Sequence, residues 1–195
     1  MKKQFGVLVF ALAVFCAVPV FAATYEIDAS HSSVDFKIRH LVSSVRGSFN
    51  QFEGTFDYEP GKPQQWKARA VIQAESIDTN VAKRDEHLRS PDFFDAKKYP
   101  TLTFESTGVT GVSGDKAKLT GNLTIHGITK PVVLDLEIHG VTKDMRGTER
   151  AGFTATTKVS RKDFDLNWNK ILEAGKVMVG EEVQITIEVE GVLKA

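Results

Sequence analysis

The sequence predicts an all-β protein of eight amphipathic antiparallel strands, with one short helical insertion between the third and the fourth. Three observations predict it. Apolar and polar residues alternate with a period of two in eight separate runs. Most intervals between those runs are of hairpin size. None holds a crossover helix, which a parallel βαβ sheet would need. Closing such a sheet into a barrel removes its exposed edges, and a two-layer sandwich fits the same periodicity. An eight-stranded barrel is just wide enough to fill with side chains or to hold one small ligand.

The pattern begins after a leader. Residues 1–22 carry Lys2 and Lys3, an apolar run over residues 5–18, and Val20-Phe21-Ala22 as a small-residue cleavage site. The expected domain is therefore 23–195, and with no second long apolar run the mature product is expected to be soluble. Cys16 is the single cysteine and leaves with the leader; a lipidated Cys16 would want a small residue where Phe15 stands. No disulfide is available to the mature chain. The whole chain has 25 basic and 25 acidic residues, so removing Lys2 and Lys3 leaves 25 − 2 = 23 against 25, about −2. That balance excludes a nucleic-acid partner and a polybasic membrane anchor.

In the first strand Val34, Phe36, Ile38 and His40 share one face and Asp35, Lys37 and Arg39 the other. A turn near Arg46-Gly47 is expected before the second, which carries Phe52, Phe56 and Tyr58. The third alternates Trp66, Ala68, Ala70, Ile72 and Ala74; the fourth, Leu102, Phe104 and Ser106. The fifth sets Ala117, Leu119, Gly121, Leu123 and Ile125 inward, and after a tight turn at His126-Gly127 the sixth sets Val132, Leu134, Leu136 and Ile138. The seventh has Ala151, Phe153, Ala155 and Val159; the eighth, Val183, Ile185, Ile187 and Val189.

Two connections are too long for hairpins. In residues 76–104, Asp78, Thr79 and Asn80 offer caps for a helical run over residues 81–89, with an i,i+4 ion pair expected between Asp85 and Arg89. Ser90-Pro91 reads as the start of a second helical turn carrying Phe93 and Phe94. Residues 160–181, with Phe164 and Trp168, read as a cover over one barrel end or one side of the mouth. Charge beside aromatics on such connections suggests a functional lid, or surface turns whose rings plug the core.

The motifs of common catalytic sites are missing. There is no G-x-S-x-G, no P-loop and no G-x-G-x-x-G. His31, His40, His87, His126 and His139 fall on five elements, so no metal spacing is encoded locally. His40 continues an apolar stripe, as a bonded core histidine or as a polar group meeting a ligand headgroup. Arg84 and His87 share a helical face at a mouth, or form a salt-bridged surface. The inward Ala68, Ala70, Ala117, Gly121, Ala151 and Ala155 leave volume unfilled unless large partners interdigitate, which points to a long apolar cavity.

The runs Asp28-Ala29-Ser30-His31-Ser32-Ser33-Val34-Asp35-Phe36 with His40, Arg46-Gly47-Ser48-Phe49 and Phe52-Glu53-Gly54 resemble the opening of the YceI-like, polyisoprenoid-binding proteins. So do Arg84-Asp85-Glu86-His87-Leu88, Phe93-Phe94, Tyr99-Pro100, residues 121–132 and Arg150-Ala151-Gly152-Phe153. The resemblance covers essentially all of 23–195. It implies an extended lipocalin-like barrel whose tunnel holds a long isoprenoid or fatty-acyl chain, such as a polyprenyl phosphate or a quinone tail, and export to the periplasm. It implies no catalytic set. Where the family pattern has Gly after Asp-Phe, Asp165 follows Phe164 here.

The expected function is a periplasmic carrier or sequestering protein with no cofactor and no metal, its partner a long-chain lipid, working as a monomer or homodimer with transient membrane contact. Phe36, Ile38, Phe52, Phe56, Phe104 and Phe153 are the expected lining. His40, Arg84, Asp85 and His87 are expected to contact the headgroup or to fix the insertion that shapes the mouth, with Phe93, Phe94 and Trp168 around that mouth. Two alternatives stand: an enzyme using Asp85 and His87 as an acid-base pair, and a filled structural barrel with a protein partner.

Overall fold

The computed structural model describes residues 22–170 and 177–194; the leader lies almost wholly outside them. In chain order the strands are β1 (Ala23–Ile27), β2 (Ser33–His40), β3 (Ser43–Phe49), β4 (Phe52–Tyr58), β5 (Lys67–Gln73), β6 (Ile77–Asp78), β7 (Thr101–Ser113), β8 (Lys116–Ile125), β9 (Ile128–Lys143), β10 (Glu149–Ser160) and β11 (Val179–Leu193), with helix α1 (Ala82–Arg89) between β6 and β7.

Pairing reduces these segments to a closed barrel of eight antiparallel strands. The order β1-β4-β5-β7-β8-β9-β10-β11 returns to β1, where Tyr25 faces Leu193 and Ile27 faces Gly191. β2, β3 and β6 continue β1, β4 and β5 past short breaks, with β2 lying on β11 and β3 between β2 and β6. The closed barrel is thus the solution chosen over the sandwich.

Two strand readings need correction. The first strand of the barrel, β1, precedes those expected: directly behind the leader, its Ala23, Tyr25 and Ile27 alternate with Thr24 and Glu26. Arg46 and Gly47 lie inside β3, paired with Lys37 and Phe36, and the turn is at Leu41 and Val42. Gly47 marks a close approach, not a turn: a Cβ there would sit 2.5 Å from Phe36 Cζ and 2.7 Å from the Asp78 carbonyl oxygen. The true turn carries an apolar pair, with Leu41 at φ 51°, a composition that hides it.

The insertion also differs from expectation. α1 starts after Val81 with no side-chain cap. Asp78 accepts the Asn80 N–H instead, at 2.7 Å. Asp85, 5% exposed, accepts from Thr79 N at 2.9 Å and from Thr79 Oγ1, so it cannot serve Arg89. Arg89 donates to the carbonyls of Glu75 and Ile77, both at 2.7 Å, which fastens the helix to β6. Ser90 closes α1 rather than opening another helix, its Oγ donating to His87 O at 2.7 Å, and residues 91–99 run on as turns and bends.

The barrel's two ends are built differently. Away from α1, Tyr25 stacks on Phe56 at 5.2 Å, Phe153 meets Phe56 and Tyr58 edge-on at 5.3 and 4.9 Å, and Trp66 packs on Tyr58. Burial and the neighbouring Glu149 carboxylate, which accepts from the Tyr25 hydroxyl, push that phenol up. Nearer α1, Phe49, Ile72, Ile77, Leu102, Phe164 and Leu166 form the other core.

The break between β1 and β2 is an Asx turn, in which Asp28 Oδ1 accepts from Ser30 N and Oγ. Arg150 fixes it from β10: Nη1 reaches Asp28 at 2.9 Å and Glu190 at 2.5 Å, and Nε reaches Asp144 at 3.1 Å. Bonds from Ser30, His31 and Arg150 hold the Asp28 carboxyl well below the usual carboxylate range. A depressed carboxylate pKa contributes stability that is present above the unfolded value of about 3.9 and is lost as pH falls through the lower folded value. Arg150→Met should therefore melt below wild type at pH 7, and the two melting curves should converge as pH is taken below about 4; a gap constant down to pH 2 would mean that packing, not charge, is what Arg150 supplies.

Candidate functional site

Eight inward strand faces, nearly all apolar, enclose a cavity of about 400 Å³, within the roughly 300–1,000 Å³ common for ligand sites. Along β11 its lining runs from Val179 to Val189. Ten residues at about 3.3 Å, tilted by about 40°, give a length of roughly 25 Å.

The lumen stays open because several rings lie on the wall. A Cβ on Gly121 would meet Phe104 Cζ at 2.4 Å, and one on Gly191 would meet Phe56 at 2.4 Å; with Phe36 over Gly47 this makes three rings seated where a neighbour has no side chain. Glycine leaves a ring-sized recess in the pleat, and a phenylalanine beside it covers the recess rather than projecting inward.

At the α1 end the two long connections meet. His87 is edge-on to Trp168 at 4.9 Å and to Phe93 at 5.1 Å, and Phe93 lies 5.2 Å from Trp168. His40, Val45, Arg84, Met178 and Val179 also line this region. The cover expected over residues 160–181 is described except at 171–176. Its opening turn, Arg161–Phe164, ends on Asp165 at φ 60° and ψ 21°. That left-handed conformation suits Gly best and Asp tolerably, so the Gly-to-Asp departure preserves the turn.

The cavity is lined by Phe36, Ile38, His40, Phe52, Phe56, Arg84, His87, Phe93, Phe94, Phe104, Phe153 and Trp168. Phe56 and Phe153 do so from within the aromatic cluster that blocks the far end. Asp85 is not among the lining residues, because its carboxylate is turned to Thr79. Nor does it pair with His87, whose Nε2 is 2.8 Å from Asp92. Arg84 lines the lumen while its guanidinium is spent on Thr79, through Nε to Oγ1 at 2.7 Å and Nη2 to the carbonyl at 2.9 Å.

Sequence reasoning missed Arg161, which is 3% exposed and lines the cavity. Strand parity could have found it: Phe153, Ala155, Thr157 and Val159 put residue 161 on the inward face. Burial lowers its pKa, opposed by the charge of Glu181. Among the described residues one grouping of metal-ligating types also forms: atoms of Asp28, His31 and Glu190 lie within 4.8 Å of one another. Arg150 Nη1 is bonded to both carboxylates, so a cation already stands there.

An antiparallel eight-stranded barrel with an apolar lumen, closed by aromatics at one end and covered by two connections at the other, defines a class of lipocalin-like proteins. Residues 25–191 match the model of the YceI-like domain, and the chain belongs to that family. Protein YceI of Escherichia coli O157:H7 is 42% identical over 195 residues, covering 98% of each chain. BcnA of Burkholderia cenocepacia has a crystal structure similar at a TM-score of 0.72, with 26% identity over 84% of this chain and 98% of that one. A polyisoprenoid binding domain from Saccharophagus degradans shares the fold at a TM-score of 0.64 and 16% identity, covering 89% and 99%.

Gly121→Val tests the ring-on-glycine arrangement. The Phe104 ring should leave the wall for the lumen, lowering the melting temperature by the equivalent of about 1–3 kcal/mol of overpacking. Uptake of an apolar fluorescent naphthylamine should fall at least several-fold. Gly108→Ala, which meets only Thr120 Oγ1 at 3.5 Å, should leave uptake unchanged.

Proposed function

We propose that this protein is a periplasmic carrier that holds one long isoprenoid or acyl chain in the barrel lumen, a polyprenyl phosphate or an isoprenoid quinone being the expected class. One observation carries the reading: the inward faces of all eight strands bound a continuous apolar cavity of about 400 Å³. Burying hydrocarbon there is favourable by about 0.8 kcal/mol per methylene, so about eight such groups supply roughly 6 kcal/mol before association costs. Family membership and the polyisoprenoid-binding description of one structural neighbour support the same class of ligand. The role needs no covalent step and no cofactor, and residues 1–22 are the segment that would direct export.

Native mass spectrometry of the purified mature protein, followed by organic extraction, tests this directly. A stoichiometric isoprenoid or acyl species is expected. A clean unliganded mass, with no uptake of added polyprenyl lipid or quinone, would defeat the proposal in favour of a structural barrel.

Transient membrane contact is proposed at the rim, where the β2–β3 turn exposes Leu41 and leaves Val42 fully exposed, with Val177 close by in the chain to Met178, whose carbonyl accepts from Leu41 N at 2.9 Å. Val42→Asp should slow lipid transfer from vesicles severalfold while leaving the affinity for detergent-dispersed lipid unchanged; equal transfer rates would move the contact elsewhere.

A further inference from the structure

Three buried polar or charged residues stand out among those described: Thr79, Asp85 and Arg161. The first two satisfy each other. Arg161 does not find the same completion. Its Nε donates to Gly180 O at 2.8 Å, and its Nη1 donates to Trp168 O at 2.9 Å and to Leu166 O, which together tie the cover to the start of β11. Its Nη2 is buried with no hydrogen-bond partner. No carboxylate among the described residues forms an ion pair with it, and the nearby Glu181 is bonded to Lys162. The group is thus a cation with two unspent N–H donors, placed on the wall of an apolar cavity.

A buried guanidinium without a counter-charge is costly, and an orphaned donor adds the full desolvation penalty of that group. Holding three backbone carbonyls accounts for Nε and Nη1 but not for Nη2, and a structural clamp alone would not need a charge. Arginine's planar fork is suited to an oxyanion, which accepts from it and cancels its charge. The position is also suitable: Arg161 bonds the carbonyl of Trp168, whose ring meets His87 and Phe93 where the two connections cover the barrel. A headgroup here would sit at the covered end, with its chain running toward the aromatic cluster.

Building on the lumen as the chain's binding site, we infer that Nη2 of Arg161 receives the oxyanion of the lipid headgroup, a phosphate or a carboxylate. The lumen then discriminates by headgroup charge as well as by chain. A neutral alcohol or quinone carbonyl would leave the guanidinium uncompensated and bind more weakly for the same tail.

The test uses one tail with three heads: geranylgeranyl monophosphate, geranylgeranoic acid and geranylgeraniol, titrated into the delipidated mature protein by displacement of a fluorescent apolar probe. At least one of the two anions should bind ten-fold or more tighter than the alcohol, and the tighter of the two identifies the headgroup chemistry. Arg161→Gln should bring that ratio to within two-fold while alcohol binding persists, and Arg161→Lys, which keeps the charge but loses the fork, should retain part of it. Equal binding of all three heads by wild type would overturn the assignment while leaving chain binding intact, whereas failure of all three to bind would remove the carrier reading itself. A wild-type preference that survives undiminished in folded Arg161→Gln would also overturn it. Should that variant not fold, Arg161→Lys and the wild-type ratio decide together.

Discussion

Whether an eight-stranded barrel is solid or hollow turns on where its large inward side chains put their volume. Eight strands enclose just enough space to be filled, and this chain carries phenylalanine on several inward positions. Glycines beside Phe36, Phe56 and Phe104 change the outcome, because each ring occupies the space that a neighbouring Cβ would claim. The aromatic area still counts as buried apolar surface in the wall, while the axis is left free. Small inward residues such as Ala68, Ala70 and Ala155 add to the same effect.

The parity of the strands was legible in the sequence, since an alternating pattern survives any error in where strands begin. Val34 to His40 and Val183 to Val189 face inward as their periods require. Closure was not legible, because a sandwich needs the same alternation. It depends on β1 meeting β11 across nearly the whole length of the chain, a pairing with no local signature. β3 was concealed by Gly47, which serves a packing role that looks like a turn, while the actual turn at Leu41 and Val42 uses residues that local turn chemistry would not choose.

The candidate site divides along the same line. Lining residues follow from parity, and nearly all of those singled out border the cavity. Asp85 could not be assigned from the sequence because a carboxylate on a helix has equivalent options, an i,i+4 arginine or a preceding loop. Tertiary structure decides for Thr79, since Arg89 is drawn to the Glu75 and Ile77 carbonyls by the need to dock α1 on β6. Arg161 was hidden for a different reason: it stands just past β10, at the head of the turn Arg161–Phe164, and a charged residue there does not fit the apolar rule for inward positions.

The polar groups are distributed unevenly along the lumen, and that asymmetry orients what the barrel holds. At the far end Tyr25 and Trp66 turn their polar atoms outward, the phenol to Glu149 and the indole N–H to the Glu59 carbonyl at 2.7 Å. What the cavity meets there is ring surface from Phe56, Tyr58, Trp66 and Phe153. At the covered end His40, His87 and Arg161 all border the cavity, and Leu41, Val42 and Val177 stand exposed at its rim. A molecule with an apolar tail and a polar head would lose hydrogen bonds with its head at the aromatic end and keep them at the other. Under the proposed function the tail therefore points toward the aromatic cluster, and the head lies where the two connections meet through Trp168, His87 and Phe93.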